Sequence, residues 1–293
     1  MSLRDALDDI LKLLPIERLR HPPPVVAVVR FDGVIGPRQW RNAVSLASHA
    51  GALDRAFAAR RLAAVAIAIN SPGGSPVQSA LLFRRIRQLA DEKGVRVFAF
   101  AEDVAASGGY WLALAGDEIY AEDASLIGSI GVVTAGFGLN RLIERFGIER
   151  RLHTAGENKA LLDPFLPENP ADVARLTALQ RDMHETFKEH VRRRRVGTID
   201  PADETLFSGE VLTGRMALAR GLVDGIGDLR SVMRARFGDT VKLVPIAAAR
   251  RQRRWLARLR PGVEHEPYGP LAAPFAELLD WLEARALWAR FGL

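Results

Sequence analysis

Two glycine turns in this sequence combine a hydroxyl, permissive backbone and available N–H groups in a way that suits acyl chemistry. The first is Ile69-Asn-Ser-Pro-Gly-Gly-Ser-Pro76. Consecutive glycines permit positive φ angles and leave backbone N–H groups able to face an oxyanion. Read alone, the same letters also describe a plain tight turn. The second is Asp103-Val-Ala-Ala-Ser-Gly-Gly-Tyr-Trp111. A serine in the first turn of a helix sits near the positive end of the helix dipole, where developing negative charge is favoured. Gly108 would admit a carbonyl carbon and add its own N–H, although Ser-Gly-Gly is also an ordinary capped helix start. Both turns follow apolar strand-like runs. In an open parallel sheet that places them together at the carboxyl edge, where sites form.

A serine hydroxyl is a weak nucleophile at neutral pH and needs a base. His153 is the one histidine near this region, and no acid is evidently placed to orient it. Lysine serves if burial or neighbouring charge lowers its pKa, whereas arginine stays protonated. Only five of the 41 basic residues are lysines. One is Lys159, in the loop-like Gly156-Glu-Asn-Lys-Ala-Leu-Leu-Asp163. A solvated surface lysine is the plainer reading of that position.

The elements that must position these residues follow from hydrophobic periodicity. Val25–Val29, Ala63–Ile69 and Val95–Ala101 are apolar runs suited to strands buried on both faces. Helical spacing over Trp40–Arg61 and Val77–Glu92 separates them, which predicts parallel crossover units and an α/β layer. A helix over Ser107–Ala115 follows, then short strands near Glu118–Tyr120, Ile130–Thr134 and Glu149–Thr154. Beyond Pro170 the pattern is more helical and more basic: a long helix over Ala171–Arg195, the segment Gly221-Leu-Val-Asp-Gly225, and a last strand at Val241–Pro245. Three regions result: an amphipathic helix and Pro-rich link over 1–24, a main domain over 25–246, and a basic segment, linker and amphipathic helix over 247–293.

Bulk properties remove several classes of function. The 293-residue chain has no cysteine, which excludes disulfides, thiolate metal sites and a cysteine nucleophile. Its six histidines show no metal-ligand spacing, so neither a metal nor another cofactor is expected. Met1–Leu14 lacks the apolar core of an export signal, and no window reaches the roughly eighteen apolar residues that span a bilayer. A cytoplasmic protein, in contact with the inner membrane at most peripherally, is the expectation. Residues 241–293 hold nine Lys+Arg against five Asp+Glu, so +4 of the net +6 lies there. Nucleic-acid binding is therefore not expected of the body of the chain.

Four motifs together carry a resemblance. Asn70-Ser-Pro-Gly-Gly74, Ala106-Ser-Gly-Gly-Tyr110, Ile127-Gly-Ser-Ile-Gly-Val132 and Lys159 occur in an order and spacing that resemble the signal peptide peptidase A family of serine peptidases, family S49. The likeness spans roughly Val25 to Asp239 and is to the short, single-repeat form. It implies the spiral α/β fold shared by Clp-type peptidases and crotonases, with Ser107 as nucleophile and Lys159 as general base of a Ser-Lys dyad. It also implies Gly74 and Gly108 as oxyanion-hole donors, and Ser129 as the residue that orients the lysine amine. Peptides are the implied substrates, and a homo-oligomer with active sites shared between subunits is the implied assembly. The family usually has an N-terminal transmembrane anchor, and this sequence departs from it there, so signal peptides as the substrate do not follow.

Other readings remain open on sequence alone. A crotonase-type acyl-CoA enzyme uses the same sheet and paired donors without a serine nucleophile. A Clp-type Ser-His-Asp peptidase is disfavoured by the distance in sequence to His153. A non-catalytic scaffold or membrane-surface adaptor is suggested by Arg250–Arg260, which clusters six arginines with one tryptophan, and by Arg192–Arg195.

Overall fold

A computed structural model describes residues 22–37, 43–156, 158–248, 282 and 285–292. The expected helix over 1–14 and the Arg250–Arg260 cluster lie outside these residues. Of the expected C-terminal helix, residues 285–289 are described as helical.

The apolar runs become the centre of a sheet. β1 (Val25–Asp32), β2 (Leu62–Ser71) and β3 (Arg96–Ala106) pair in parallel, and β8 (Lys242–Pro245) adds to the outer edge of β1. The helices that return the chain between them are α1 (Leu46–Phe57) and α2 (Pro76–Lys93). β2 is buried along most of its length because both of its faces are covered. The period-two alternation sorts its side chains by size: Val65, Ile67 and Ile69 enter the larger core under the helices, while Ala64 and Ala66 face a smaller cluster built on Phe98, Phe100 and Met233. That second layer is closed by α6 (Leu229–Phe237), which carries Met233.

β3 is the strand that positions the site, because its free edge is shared by two partners. Phe98–Ala101 pairs with β4 (Glu118–Ala121), and Val104–Ala106 pairs with β5 (Leu126–Gly128). β4 continues to β7 (Gly225–Ile226), and β5 to β6 (Val211–Thr213), the one antiparallel pair among the described residues. On the other side of β3 the register with β2 jumps from Ile69↔Ala101 to Ser71↔Ala105, so Glu102 and Asp103 are extra residues in β3. The distortion is held by side chains. Asn70 Oδ1 accepts the Val104 N–H at 3.3 Å, and Arg30 clasps Glu102 with bonds of 2.6 and 2.7 Å. Such a bulge re-aims the end of a strand, and β3 here runs up to Ala106, immediately before Ser107.

Two strand expectations fail. Residues 130–134 and 149–154 form no strand, and residues 133–156, with 158 and 159, leave the body as an almost entirely exposed arm with one short helix, α4 (Asn140–Arg145). A strand needs a neighbouring ladder for its backbone groups, and β5 ends at Gly128 with β6 already on its edge. The arm consequently exposes Val133, Phe137, Leu142, Phe146 and Ile148, with Phe137 at 83% and Phe146 at 70%.

The long helix expected after Pro170 forms as α5 (Pro170–Arg194), capped by Asn169 and ending in three arginines that suit its negative pole. It packs on α3 (Gly108–Ala113), the short helix after Ser107, through Trp111, whose ring lies 4.9 Å from Phe187 and 4.6 Å from His190. The buried Arg195 then fastens this corner, donating to the Gly221 carbonyl at 2.6 and 2.8 Å and to Asp224 at 2.8 Å. Tyr110 donates to the Leu222 carbonyl at 2.8 Å, so the Gly221–Gly225 segment anchors both helices.

Burial pushes the pKa of His190 down to about 4, with the charges of Arg193 and Arg194 adding to the effect. Its Nδ1 faces Arg193 at 3.1 Å and its Nε2 has no partner among the described residues. A depressed folded-state pKa means the neutral ring stabilises the fold above about pH 6.5, and that stability is lost as the pH falls towards 4. Replacing His190 by phenylalanine should therefore flatten the decline in melting temperature between pH 6.5 and 4; an unchanged slope in differential scanning fluorimetry would assign that decline to other groups.

Candidate active site

Ser107 occupies an unusual backbone position. Its φ of 52° and ψ of −120° lie where a residue with a side chain is strained, at a cost of about 1–3 kcal/mol. The surrounding structure compensates: the Ser107 N–H donates to the Gly128 carbonyl at 2.8 Å, and its own carbonyl accepts the Trp111 N–H at 2.9 Å. The side chain makes no capping hydrogen bond. Ser107 thus stands at the N-cap position of α3 without capping the helix through its side chain.

The first glycine turn is pressed against the second. A Cβ on Gly73 would lie 2.8 Å from both the Gly108 nitrogen and Ser107 Cβ, so only glycine allows the approach. Gly74 has a φ of 133°, and a Cβ there would strike the Ile35 carbonyl. The backbone pairing explains where its N–H points. Ile35 donates to Gly73 at 2.8 Å and accepts from Ser75 at 2.7 Å, as in a parallel ladder. In that arrangement the intervening residue directs its N–H to the opposite side. Among the described residues neither the Gly74 nor the Gly108 N–H has a hydrogen-bond partner.

Ser107, Gly74 and Gly108 line one small cleft. Ser129 lies beside it in the chain: it follows Gly128, which holds Ser107, and its N–H donates to the Glu210 carbonyl at 2.7 Å with a φ of 50°. Lys159 is not brought to the cleft. It sits exposed on the arm, its N–H bonded to the Gly156 carbonyl at 3.2 Å. Among the described residues no histidine lines the cleft: His153 is on the exposed arm, His49 is buried against Phe31, and His184 holds the Ile130 carbonyl at 3.1 Å.

Several residues of the cleft are not singled out by the sequence, although Trp111 and Val132 end motifs quoted above. Trp111, Val132, Met183 and Phe187 form its wall. Trp111 lies one helical turn beyond Ser107 and was within reach of the motif. Met183 and Phe187 come from α5, and nothing in their spacing points across the fold.

Comparison with known proteins bears on the family and the fold. Residues 90–238 match Peptidase family S49. The chain belongs to that family. It is 34% identical over 210 residues to the chloroplastic serine protease SPPA of Arabidopsis thaliana, covering 70% of this chain and 31% of that protein. It is 49% identical over 300 residues to a Brucella abortus protein named Na(+)/H(+) antiporter NhaA, covering all of this chain and 40% of that protein. The chain thus spans less than half the length of each of these two relatives. No helix among the described residues is long and apolar enough to cross a membrane. Among solved structures, a lysine-to-alanine mutant of the 1510-N membrane-bound stomatin-specific protease in complex with a substrate peptide aligns with a TM-score of 0.50 and 15% identity, covering 78% of this chain and 94% of that one. That likeness shows the fold: the Clp peptidase-like spiral α/β architecture that the motifs imply.

If Ser107 is strained, Ser107→Gly should be more stable than Ser107→Ala by about 1 kcal/mol, because glycine adopts positive φ without penalty and loses only part of the gain to backbone entropy. Urea unfolding of the two variants measures this, and equal midpoints would mean the conformation carries no strain.

Proposed function

We propose that this S49 protein is a serine endopeptidase in which Ser107 is the nucleophile and Lys159 the general base, with Lys159 supplied by a second copy of the chain. The observation that carries the proposal is the strained Ser107 hydroxyl, unused by any cap, beside two unpartnered backbone donors.

In the proposed reaction the neutral Lys159 amine takes the Ser107 proton as Oγ attacks a peptide carbonyl. The Gly74 and Gly108 N–H groups receive the negative charge that develops on the carbonyl oxygen. The lysine then gives its proton to the departing amine, and water releases the acyl group from Ser107. Ser129, fixed by the Glu210 contact next to Gly128, is the proposed group that orients the amine.

Supply of Lys159 from another copy is favoured by the arm. An amine acts as a base only where desolvation or nearby positive charge favours its neutral form, and Lys159 in the single chain is exposed. The arm that bears it also carries an unburied apolar set, Phe137, Leu142, Phe146 and Ile148. Several large exposed apolar side chains on one segment suit a contact with another chain. Peptides, as unfolded chains or signal-peptide remnants, are the proposed substrates. The crotonase-type alternative has no separate observation in its favour.

Ser107→Ala and Lys159→Ala should each lower turnover by several orders of magnitude, and Lys159→Arg should be no better than Lys159→Ala because arginine cannot release its proton. Mixed in equal amounts and allowed to exchange subunits, the two alanine variants should recover about a quarter of wild-type peptidase activity, since half of the serines would meet half of the lysines. No recovery after subunit exchange has been verified by mass spectrometry would remove the shared-site arrangement. Substantial turnover by Lys159→Arg would remove lysine as the base.

A further inference from the structure

Lys159 stands on an exposed segment, so its position depends on how that segment is closed. Among the described residues, two links join separated parts of the arm to the turn that ends it. The Leu139 N–H, just before α4, donates to the Pro164 carbonyl at 2.6 Å. Arg150, just after α4, donates to Asp163 Oδ2 through Nε at 3.1 Å and through Nη2 at 2.9 Å. The other carboxylate oxygen is also engaged: Asp163 Oδ1 accepts the Phe165 N–H at 2.9 Å, and the Asp163 carbonyl accepts the Leu166 N–H at 3.1 Å. These bonds close Asp163-Pro-Phe-Leu166 into a turn of the kind that an aspartate followed by proline favours. The Arg150 guanidinium lies 5.6 Å from the centre of the Phe165 ring, so the same turn meets it a second time. The Asp163 side chain is covered by these partners, only 7% exposed, which separates the pair from freely solvated surface ion pairs.

The chain between Arg150 and Asp163 carries Lys159, four residues before Asp163. Four residues reach about 14 Å when fully extended. Residues 158–162 are turns, and the Lys159 N–H is bonded back to the Gly156 carbonyl, so the lysine backbone lies well inside that reach. Leu162, immediately before Asp163, has a φ of 51°, which a residue of its bulk adopts only where its surroundings impose it. We infer that Asp163, held by Arg150, is a positioning residue for Lys159: the ion pair closes the arm and fixes where the amine is presented. The inference rests on the assignment of Lys159 as general base. Proton transfer depends on alignment of the amine with the serine hydroxyl, and an amine on an unclosed segment loses that alignment.

The test uses the full chain and a peptide that the wild type cuts in a Ser107-dependent manner. Asp163→Asn keeps an acceptor for the Phe165 N–H and removes the charge that holds Arg150; it should lower kcat at least about tenfold while leaving KM within about threefold of wild type. Arg150→Gln should do the same and serves if Asp163→Asn does not fold. The double variant should be no worse than the worse single one, because the two residues act as a unit. In mixtures of Ser107→Ala and Lys159→Ala chains, Asp163→Asn should lower the recovered activity about tenfold when the lysine-bearing Ser107→Ala chain carries it, and less than about twofold when the Lys159→Ala chain does. An equal loss in both mixtures would mark a defect of folding or assembly and overturn the positioning role. Unchanged kcat in folded Asp163→Asn and Arg150→Gln would overturn it as well, and an inactive Lys159→Ala measured beside them would leave the base assignment in place. Wild-type turnover by Lys159→Ala would overturn the base assignment and this inference together.

Discussion

The contact between the two glycine turns governs the rest of this structure. β2 and β3 end side by side, and the turns that leave them meet so closely that Gly73 has no room for a Cβ against Ser107 and Gly108. Ser107 is held there in a backbone conformation unfavourable to a residue with a side chain. It persists because its N–H and carbonyl are both bonded, to β5 and to α3. Strain of this kind survives only where surrounding structure over-determines it, and the over-determination here comes from the central strand of the sheet.

Much of the remaining architecture serves to aim that strand. The two extra residues in β3 shift its end relative to β2, and Asn70 fills the gap by bonding the Val104 N–H. Asn70 also opens the first glycine turn, so one side chain ties both turns to a common register. On the far side, Arg195 and Tyr110 bind the Gly221–Gly225 segment and fasten α5 and α3 against each other. Trp111 is shared by two functions in consequence. It packs α3 onto α5, and it forms the wall of the cleft in front of Ser107.

The body and the arm differ in physical character. The donors and the hydroxyl stand on buried, hydrogen-bonded elements, whereas Lys159 stands on an exposed segment that presents apolar side chains to solvent. On the proposed reading this division is functional: the oxyanion site is preorganised in each chain, and the base arrives with assembly. A peptidase built this way is inert as a single chain, which keeps an uncomplexed subunit from cutting unfolded peptides indiscriminately.

Sequence alone determined the parallel α/β layer, because Val25–Val29, Ala63–Ile69 and Val95–Ala101 are apolar on both faces and are spaced by helices. It also determined that both glycine turns lie at strand ends, since Gly, Pro and Ser interrupt those runs directly. The motifs named the family for the same reason: close backbone approach tolerates few residue types, so the letters record the geometry. Tertiary structure alone decided how β3 extends past Glu102 and Asp103, because that depends on Arg30 and Asn70 from neighbouring strands. It also decided that residues 130–134 and 149–154 are not strands, since hydrophobic alternation states a preference and only a partner ladder satisfies it. The wall formed by Met183 and Phe187 belongs to the same class: side chains some seventy to eighty residues from Ser107 reach it through helix packing, which leaves no local trace in the chain.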